Sequence, residues 1–226
     1  MAGQLSYEQR LSDAAQALDV TLGAGHIETL LTYMAQLQRW NRTYNLTAVR
    51  DPEQMLVQHL FDSLAVLKPL EHAIAHGNSP VQTTIVDVGS GGGLPGVVIA
   101  IIRPDWQVHC VDAVDKKMAF VRQMSGVLGL PNLHAVHARV EALQPFDADI
   151  VVSRAFASLI DFATLAGKHV GSGGYLLAMK GREPDEEIKA LQEGSHWDVE
   201  RIEPLTVPEL DARRCLVWMS RSQGNL

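Results

Sequence analysis

Thr84-Ile85-Val86-Asp87-Val88-Gly89-Ser90-Gly91-Gly92-Gly93-Leu94-Pro95-Gly96 is the stretch whose reading decides the fold. An apolar run of strand type ends in an acid. A glycine-rich turn follows, and Pro95 opens an apolar segment, 97–102, that reads as a helix. Strand, tight loop and helix N-terminus are the parts with which an α/β sheet holds a nucleotide-like ligand. Glycines let backbone approach such a ligand with no Cβ in the way. Proline loses nothing in a first helical turn, where its missing N–H would have been unpaired anyway.

Outward from this stretch the pattern alternates. Strands are expected at 107–112, 133–136, 148–153 and 175–179, with helices at 115–129, 158–169 and 184–193 and a short turn at 139–143. Gly171-Ser172-Gly173-Gly174 reads as a turn into the fifth strand, and two more strand-like runs lie near 196–204 and 214–220. Continuous apolar strands alternating with helices predict a parallel sheet covered on both faces. The last two strands, joined by a short loop, predict an antiparallel edge. Upstream, one helix is expected over 6–19. Ile27, Leu30, Leu31, Met34 and Leu37 then make the apolar stripe of a second, ending near Trp40. A polar connector, Asn41 to Thr47, precedes a third helix that starts at Asp51-Pro52-Glu53-Gln54 and runs to about Lys68. The expectation is therefore α/β. A helical element over 1–70 precedes a mostly parallel, seven-stranded Rossmann-like sheet over 84–226, in the order of elements of the class I methyltransferase fold.

With 226 residues and 46% hydrophobic content, the chain can build one full α/β core plus a small accessory element. No window approaches the roughly 18 uninterrupted apolar residues of a membrane span, and Met1 to Glu8 lacks the basic head and apolar run of a secretory signal. Cys110 and Cys215 each sit in an apolar strand-like run, so buried free thiols in a reducing, cytoplasmic compartment are expected. The net charge of −7 argues at first against a nucleic-acid partner. Its distribution weakens that argument. Residues 181–211 hold ten acids and three bases, whereas 31–180 hold twelve of each. The acidic stretch reads as a solvated face.

Two cofactors fit the glycine loop. Gly91-x-Gly93-x-x-Gly96 matches the dinucleotide fingerprint, a weak signal by itself. Gly89-x-Gly91-x-Gly93, with Asp87 two residues ahead, matches the loop that binds S-adenosylmethionine in methyltransferases. Asp112 ends the next strand 19 residues after Gly93 and suits the ribose hydroxyls of either. Val140 and Glu141, after the third strand, fall where methyltransferases flank the adenine. Arg154 lies at the carboxyl end of the fourth strand, where it can pair with a carboxylate, a phosphate or guanine acceptors. Lys180 and Arg182 end the fifth strand on the same rim and suit RNA phosphates. The nine histidines show no metal spacing: His134 and His137 point to opposite faces of a strand, and His59 reads as a partly buried, hydrogen-bonded residue. Neither cysteine has a partner for a nucleophile or zinc site, so no metal is expected. No Tyr/Lys, His or metal group accompanies the loop as a hydride-transfer apparatus, which disfavours an NAD-dependent dehydrogenase.

Four segments are more specific than the loop. They are Trp40-Asn41-Arg42-Thr43-Tyr44-Asn45-Leu46-Thr47-Ala48-Val49-Arg50-Asp51-Pro52, His59-Leu60-Phe61-Asp62-Ser63-Leu64, the stretch Asp87 to Gly96, and Ser153-Arg154-Ala155-Phe156-Ala157-Ser158-Leu159 with Lys180-Gly181 beyond. In these the chain resembles the RsmG family (glucose-inhibited division protein B), bacterial methyltransferases of small-subunit ribosomal RNA. The resemblance spans residues 40 to 181. It implies methyl transfer from S-adenosylmethionine to the N7 nitrogen of guanine 527 of 16S rRNA, as naked RNA or in the small ribosomal subunit. By the family pattern, Gly89, Leu94, Val140, Glu141 and Arg154 would line the cofactor site, joined by Asp87, Gly91, Gly93 and Asp112. Arg154 would face either the cofactor's carboxylate or the RNA. N7 has no proton to lose, so no acid or base residue is expected; Arg154 and Lys180 are the positioning candidates. Asn45, Lys180 and Arg182 are the RNA-binding candidates. A methyltransferase with another acceptor is the alternative.

Overall fold

The computed structural model describes residues 5–23, 25–76 and 82–222; the expected link between the helical element and the sheet falls partly outside them. Helix α1 covers Tyr7–Ala17 and is capped by Ser6, whose hydroxyl accepts the Gln9 amide. Helix α2 covers His26–Tyr44. It runs through the first half of the expected connector because Trp40 and Tyr44, one turn apart, pack ring on ring at 5.1 Å, with Phe120 5.4 Å from Trp40. Asn45 ends it with a left-handed φ of 49°, a conformation Asn tolerates better than most residues.

The third expected helix starts where predicted. Asp51 caps α3, Pro52–Met55, with Pro52 in the first turn. It then widens into a π-helical segment, Leu56–Phe61, and narrows again as α4, Asp62–Leu64. It does not run on to Lys68. The chain breaks at 65–66 and restarts as α5, Leu67–His76. Proline cannot donate within a helix, and the restart places Pro69 in a first turn, where no donor is needed.

The sheet has seven strands in the order β3-β2-β1-β4-β5-β7-β6. β1 is Thr84–Val88, β2 Gln107–Asp112, β3 Leu133–His137, β4 Ala148–Ser153, β5 Val170–Lys180, β6 Trp197–Leu205 and β7 Arg214–Arg221. β1 to β5 pair in parallel, and β7 runs antiparallel between β5 and β6. This is the class I methyltransferase arrangement, with the antiparallel edge expected from the sequence. The connecting helices are α6 (Gly96–Ile102), α7 (Asp115–Val127), α8 (Leu159–Ala166) and α9 (Asp185–Gly194).

A further expectation of local structure is corrected. Residues 171–174 are part of β5, across a register shift opposite Ala148 and Ile150, rather than a turn before it. A Cβ on Gly174 would sit 2.7 Å from the carbonyl oxygens of Ala148 and Asp149, so the glycine permits a close backbone approach within an irregular strand.

Two buried clusters sandwich the sheet, as continuous apolar strands require. One contains Phe162, Leu176, Val217 and Met219 under α8 and α9. The other joins Leu11, Leu30, Leu37, Leu60 and Phe61 of the N-terminal helices to Ile85 and Val108 of the sheet and Val97 of α6. The helical preface thus shares a core with the sheet. Arg10 reinforces it, pairing with Glu53 and, at 2.6 Å, with Glu209 near the start of β7. Cys110 and Cys215 are buried and free. Among the described residues no helix is long and apolar enough to cross a membrane.

Candidate active site

The order of strands reverses between β1 and β4, and the loops that leave their carboxyl ends diverge there. A cavity of about 520 Å³ opens at that point, within the usual size of small-molecule sites. Gly89, Ser90, Gly91, Gly92 and Leu94 form one wall, and Arg154, Lys180 and Arg214 lie in another. The N-terminal element closes it with Leu37, Thr47, His59 and Asp62.

The glycine loop is built for close approach. Gly89 has φ 68°, and a Cβ there would stand 2.6 Å from the Ala155 Cβ. At Gly91 (φ 61°) a Cβ would find nothing nearer than the Leu46 carbonyl at 3.9 Å; it would fill the cavity itself. Gly93 does not line the cavity but packs on α6. Tyr33 fastens the loop from behind, its buried hydroxyl donating to the Gly92 carbonyl at 2.7 Å. Ser153 ties the two strands at the reversal, donating to the Val88 carbonyl at 2.6 Å and accepting the Ala155 amide at 3.0 Å.

Asp87 and Asp112, alike in the sequence, stand differently. Asp87 has no exposed surface. Its Oδ2 accepts the Gly96 amide at 2.8 Å, and its Oδ1 has no partner among the described residues. Burial pushes its carboxyl up to about 7. It holds the loop to α6 from beneath. Asp112 keeps a small exposed surface at its strand end, with one oxygen accepting the Gly91 amide at 3.0 Å and the other the Val114 amide at 2.9 Å. The Lys117 ammonium lies 3.4 Å away. Val140 and Glu141 form a 3-10 turn after β3, Val140 buried and Glu141 exposed; like Asp112, they lie outside the cavity along the same rim.

On the other side, Arg154 Nη1 donates to Asp62 at 2.9 Å and to the Gln58 carbonyl at 3.3 Å. Lys180 is held by Glu187 at 2.7 Å and by the carbonyls of Phe156 and Ala157. Arg182 lies past the cavity in an adjoining groove with Arg213 and the acids of α9. Asn45 is exposed outside the cavity, and its carboxamide oxygen accepts from Arg50 at 3.0 Å. Its neighbours Leu46 and Thr47 line the wall instead. His59 is buried, with Nε2 2.9 Å from the Thr47 hydroxyl; burial, aided by the Arg154 charge, lowers its pKa to about 4.

Residues 26–217 match the family model described as rRNA small subunit methyltransferase G. The chain belongs to that family. A relative named ribosomal RNA small subunit methyltransferase G, from Bordetella pertussis, is 64% identical over 218 residues, 96% of this chain and 95% of its own. One of the same name from Leptothrix cholodnii is 52% identical over 91% of each chain. Among solved structures, a SAM-dependent methyltransferase from Aquifex aeolicus superposes with a TM-score of 0.54 at 17% identity, covering 75% of this chain and 93% of that one. A mutant of MtNAS in complex with S-adenosylmethionine gives 0.56 at 13% identity, covering 96% and 88%. These two share the fold.

Two charged residues of this family member's cavity were given no role from the sequence. Asp62 is an acid inside the apolar run Leu60-Phe61-Asp62-Ser63-Leu64, and a carboxylate in such a run signals a buried pair. Arg214 opens β7, and its place on the rim depends on β7 lying antiparallel beside β5.

Proposed function

We propose that this protein transfers a methyl group from S-adenosylmethionine to the N7 nitrogen of guanine 527 in 16S ribosomal RNA, acting in the cytoplasm. The observation that carries this reading is a cavity at the strand reversal with the glycine loop as one wall and Arg154 and Arg214 in another. The β1-β2-β3 side presents the glycine loop with Asp112 and Glu141. At the reversal stands Arg154, with Arg214 beyond it on the cavity wall; further out, Arg182 and Arg213 share a groove with Glu183, Asp185, Glu186 and Glu187. A nucleoside with a cationic sulfonium suits the first side; an anionic RNA suits the second.

The residues present fit such a cofactor. The bare Cα of Gly91 leaves room that any side chain would fill, and Asp112 stands one strand away. Gly89, Gly91 and Leu94 would hold it along the loop, Asp112 at the ribose, and the Val140–Glu141 turn at the base. Arg154 would meet its carboxylate. Asp87 and Gly93 would act through the shape of the loop. When bound, the cofactor supplies an activated methyl group.

Guanine N7 attacks with a free lone pair, so the protein has no proton to move. Its residues orient and desolvate. Leu37, Leu46 and Met179 wall the cavity with apolar surface, and Arg214 would hold the guanine oxygen or an adjacent phosphate. Lys180 supports the 154–158 segment from beneath.

The test is methyl transfer from labelled S-adenosylmethionine to small subunits from cells lacking this protein, with naked 16S rRNA in parallel. Chemical cleavage at 7-methylguanine maps the product. One cleavage at guanine 527 is expected. A protein that binds S-adenosylhomocysteine yet labels neither RNA would overturn the rRNA reading and leave the cofactor.

A further inference from the structure

Asp62 is 3% exposed, yet it faces two cations. Its Oδ2 accepts Arg154 Nη1 at 2.9 Å and its Oδ1 accepts Arg214 Nε at 3.1 Å. The two arginines come from different parts of the rim. Arg154 follows β4 beside the glycine loop, where its neighbour Ala155 packs against Gly89. Arg214 opens β7, with β5 between. The carboxylate comes from a third place, the helical preface, just after the π-helical segment. That segment also supplies the Gln58 carbonyl to Arg154. Segments of π-helix recur at functional sites.

The remaining guanidinium groups stay available. Among the described residues, Arg154 Nε and Nη2 and Arg214 Nη2 carry no hydrogen-bond partner, and both arginines line the cavity with Asp62. Two cations on one anion leave a positive balance facing the cavity. The bonds also remove side-chain freedom before any ligand binds.

We propose that Asp62 is a positioning residue that sets the cofactor subsite in register with the RNA subsite, holding Arg154 with one carboxylate oxygen and Arg214 with the other. This rests on the function proposed above. Methyl transfer needs the donor carbon and N7 in line, and a misplacement near 1 Å costs about 100-fold. One carboxylate bonded to an arginine of each subsite ties their separation to its own dimensions.

The test uses the full chain with Asp62→Asn and Asp62→Glu. Binding of S-adenosylhomocysteine is measured by calorimetry, and kcat and KM with small subunits are measured separately. Asp62→Glu keeps the charge and both pairs but lengthens the arm by one methylene. For it we expect cofactor affinity within about threefold of wild type and a kcat, at saturation of both substrates, lower by about 10-fold or more. For Asp62→Asn we expect a weaker cofactor affinity and a kcat lower by about 30-fold at saturation. A purely structural role would lower the melting temperature and leave the saturated kcat of the folded fraction intact. Either variant folded with a saturated kcat within about threefold of wild type overturns the proposal, as does a defect that saturation removes. If Asp62→Asn does not fold, Asp62→Glu decides. Wild-type protein that binds S-adenosylhomocysteine but labels no rRNA overturns the rRNA function instead, and this inference with it.

Discussion

Lys180 is held by Glu187: the ammonium lies 2.7 Å from Oε2, and it donates also to the carbonyls of Phe156 at 3.2 Å and Ala157 at 3.4 Å. Its side chain is 13% exposed. The sequence places this cation where RNA phosphates would pass; the structure uses it to fix the segment that carries Arg154. Lys180→Ala is therefore expected to lower RNA methylation more than it weakens S-adenosylhomocysteine binding, because it loosens the segment of Arg154 while the glycine loop and Asp112 lie on the other side of the strand reversal. Losing hydrogen bonds to a charged group costs about 1.5–3 kcal/mol. The variant should melt several degrees lower, as calorimetry can check.

Asp112 joins the loop to the second strand through the amides of Gly91 and Val114. Asp112→Ala removes both acceptors and the partner expected for the ribose hydroxyls. The dissociation constant for S-adenosylhomocysteine should rise about tenfold or more. An unchanged constant in isothermal titration would sink the assignment of Asp112.

Asp87 makes a pH prediction. Burial raises its folded pKa to about 7 from the ordinary value of 3.8. Between those values the folded state binds more protons than the unfolded state, so this group's contribution to stability is full below about pH 4 and is lost as pH rises through 7. Asp87→Asn keeps an oxygen for the Gly96 amide and removes the titration. Melting temperatures of the two proteins, taken from about pH 4.5 to 8, should shift in favour of the variant as pH rises. A constant difference across that window refutes the raised pKa.

Asn41 is 3% exposed and holds the segment after α2 by two bonds: its oxygen accepts the Thr47 amide at 2.9 Å and its nitrogen donates to the Val49 carbonyl at 3.1 Å. Thr47 in turn meets His59. Asn41→Ala should cost about 1–3 kcal/mol and slow methylation, because Leu46 and Thr47 belong to the cavity wall. A melting curve and a labelling assay read the two effects. Full activity would show that this segment does not shape the site.

Much of the candidate site was legible because its turn and strand-end chemistry is local. The strand–glycine–proline run announces a loop that approaches a ligand, and the acid closing β2 announces a second contact at the same rim. Other features were not local. Asp87 and Asp112 are both strand-end acids, and only packing seals one under Gly96 and leaves the other on the rim. Tyr44 continues α2 because its ring finds Trp40, a choice that the polar letters around it conceal. The break before Pro69 was readable from proline's missing donor, yet the apolar spacing through Leu64 and Leu67 masked it.

The chain's own letters determined the alternation of strands and helices, the antiparallel edge and the position of the glycine loop. Each follows from short-range periodicity and turn chemistry. Tertiary structure alone decided how the cations of the cavity pair. Lys180 is tied to Glu187, while Arg154 and Arg214, 60 positions apart in the chain, meet on one carboxylate from the helical preface. Ion pairing depends on distance through space, and that distance is set by strand order and by packing of the preface against the sheet, neither of which is carried by any local stretch of residues.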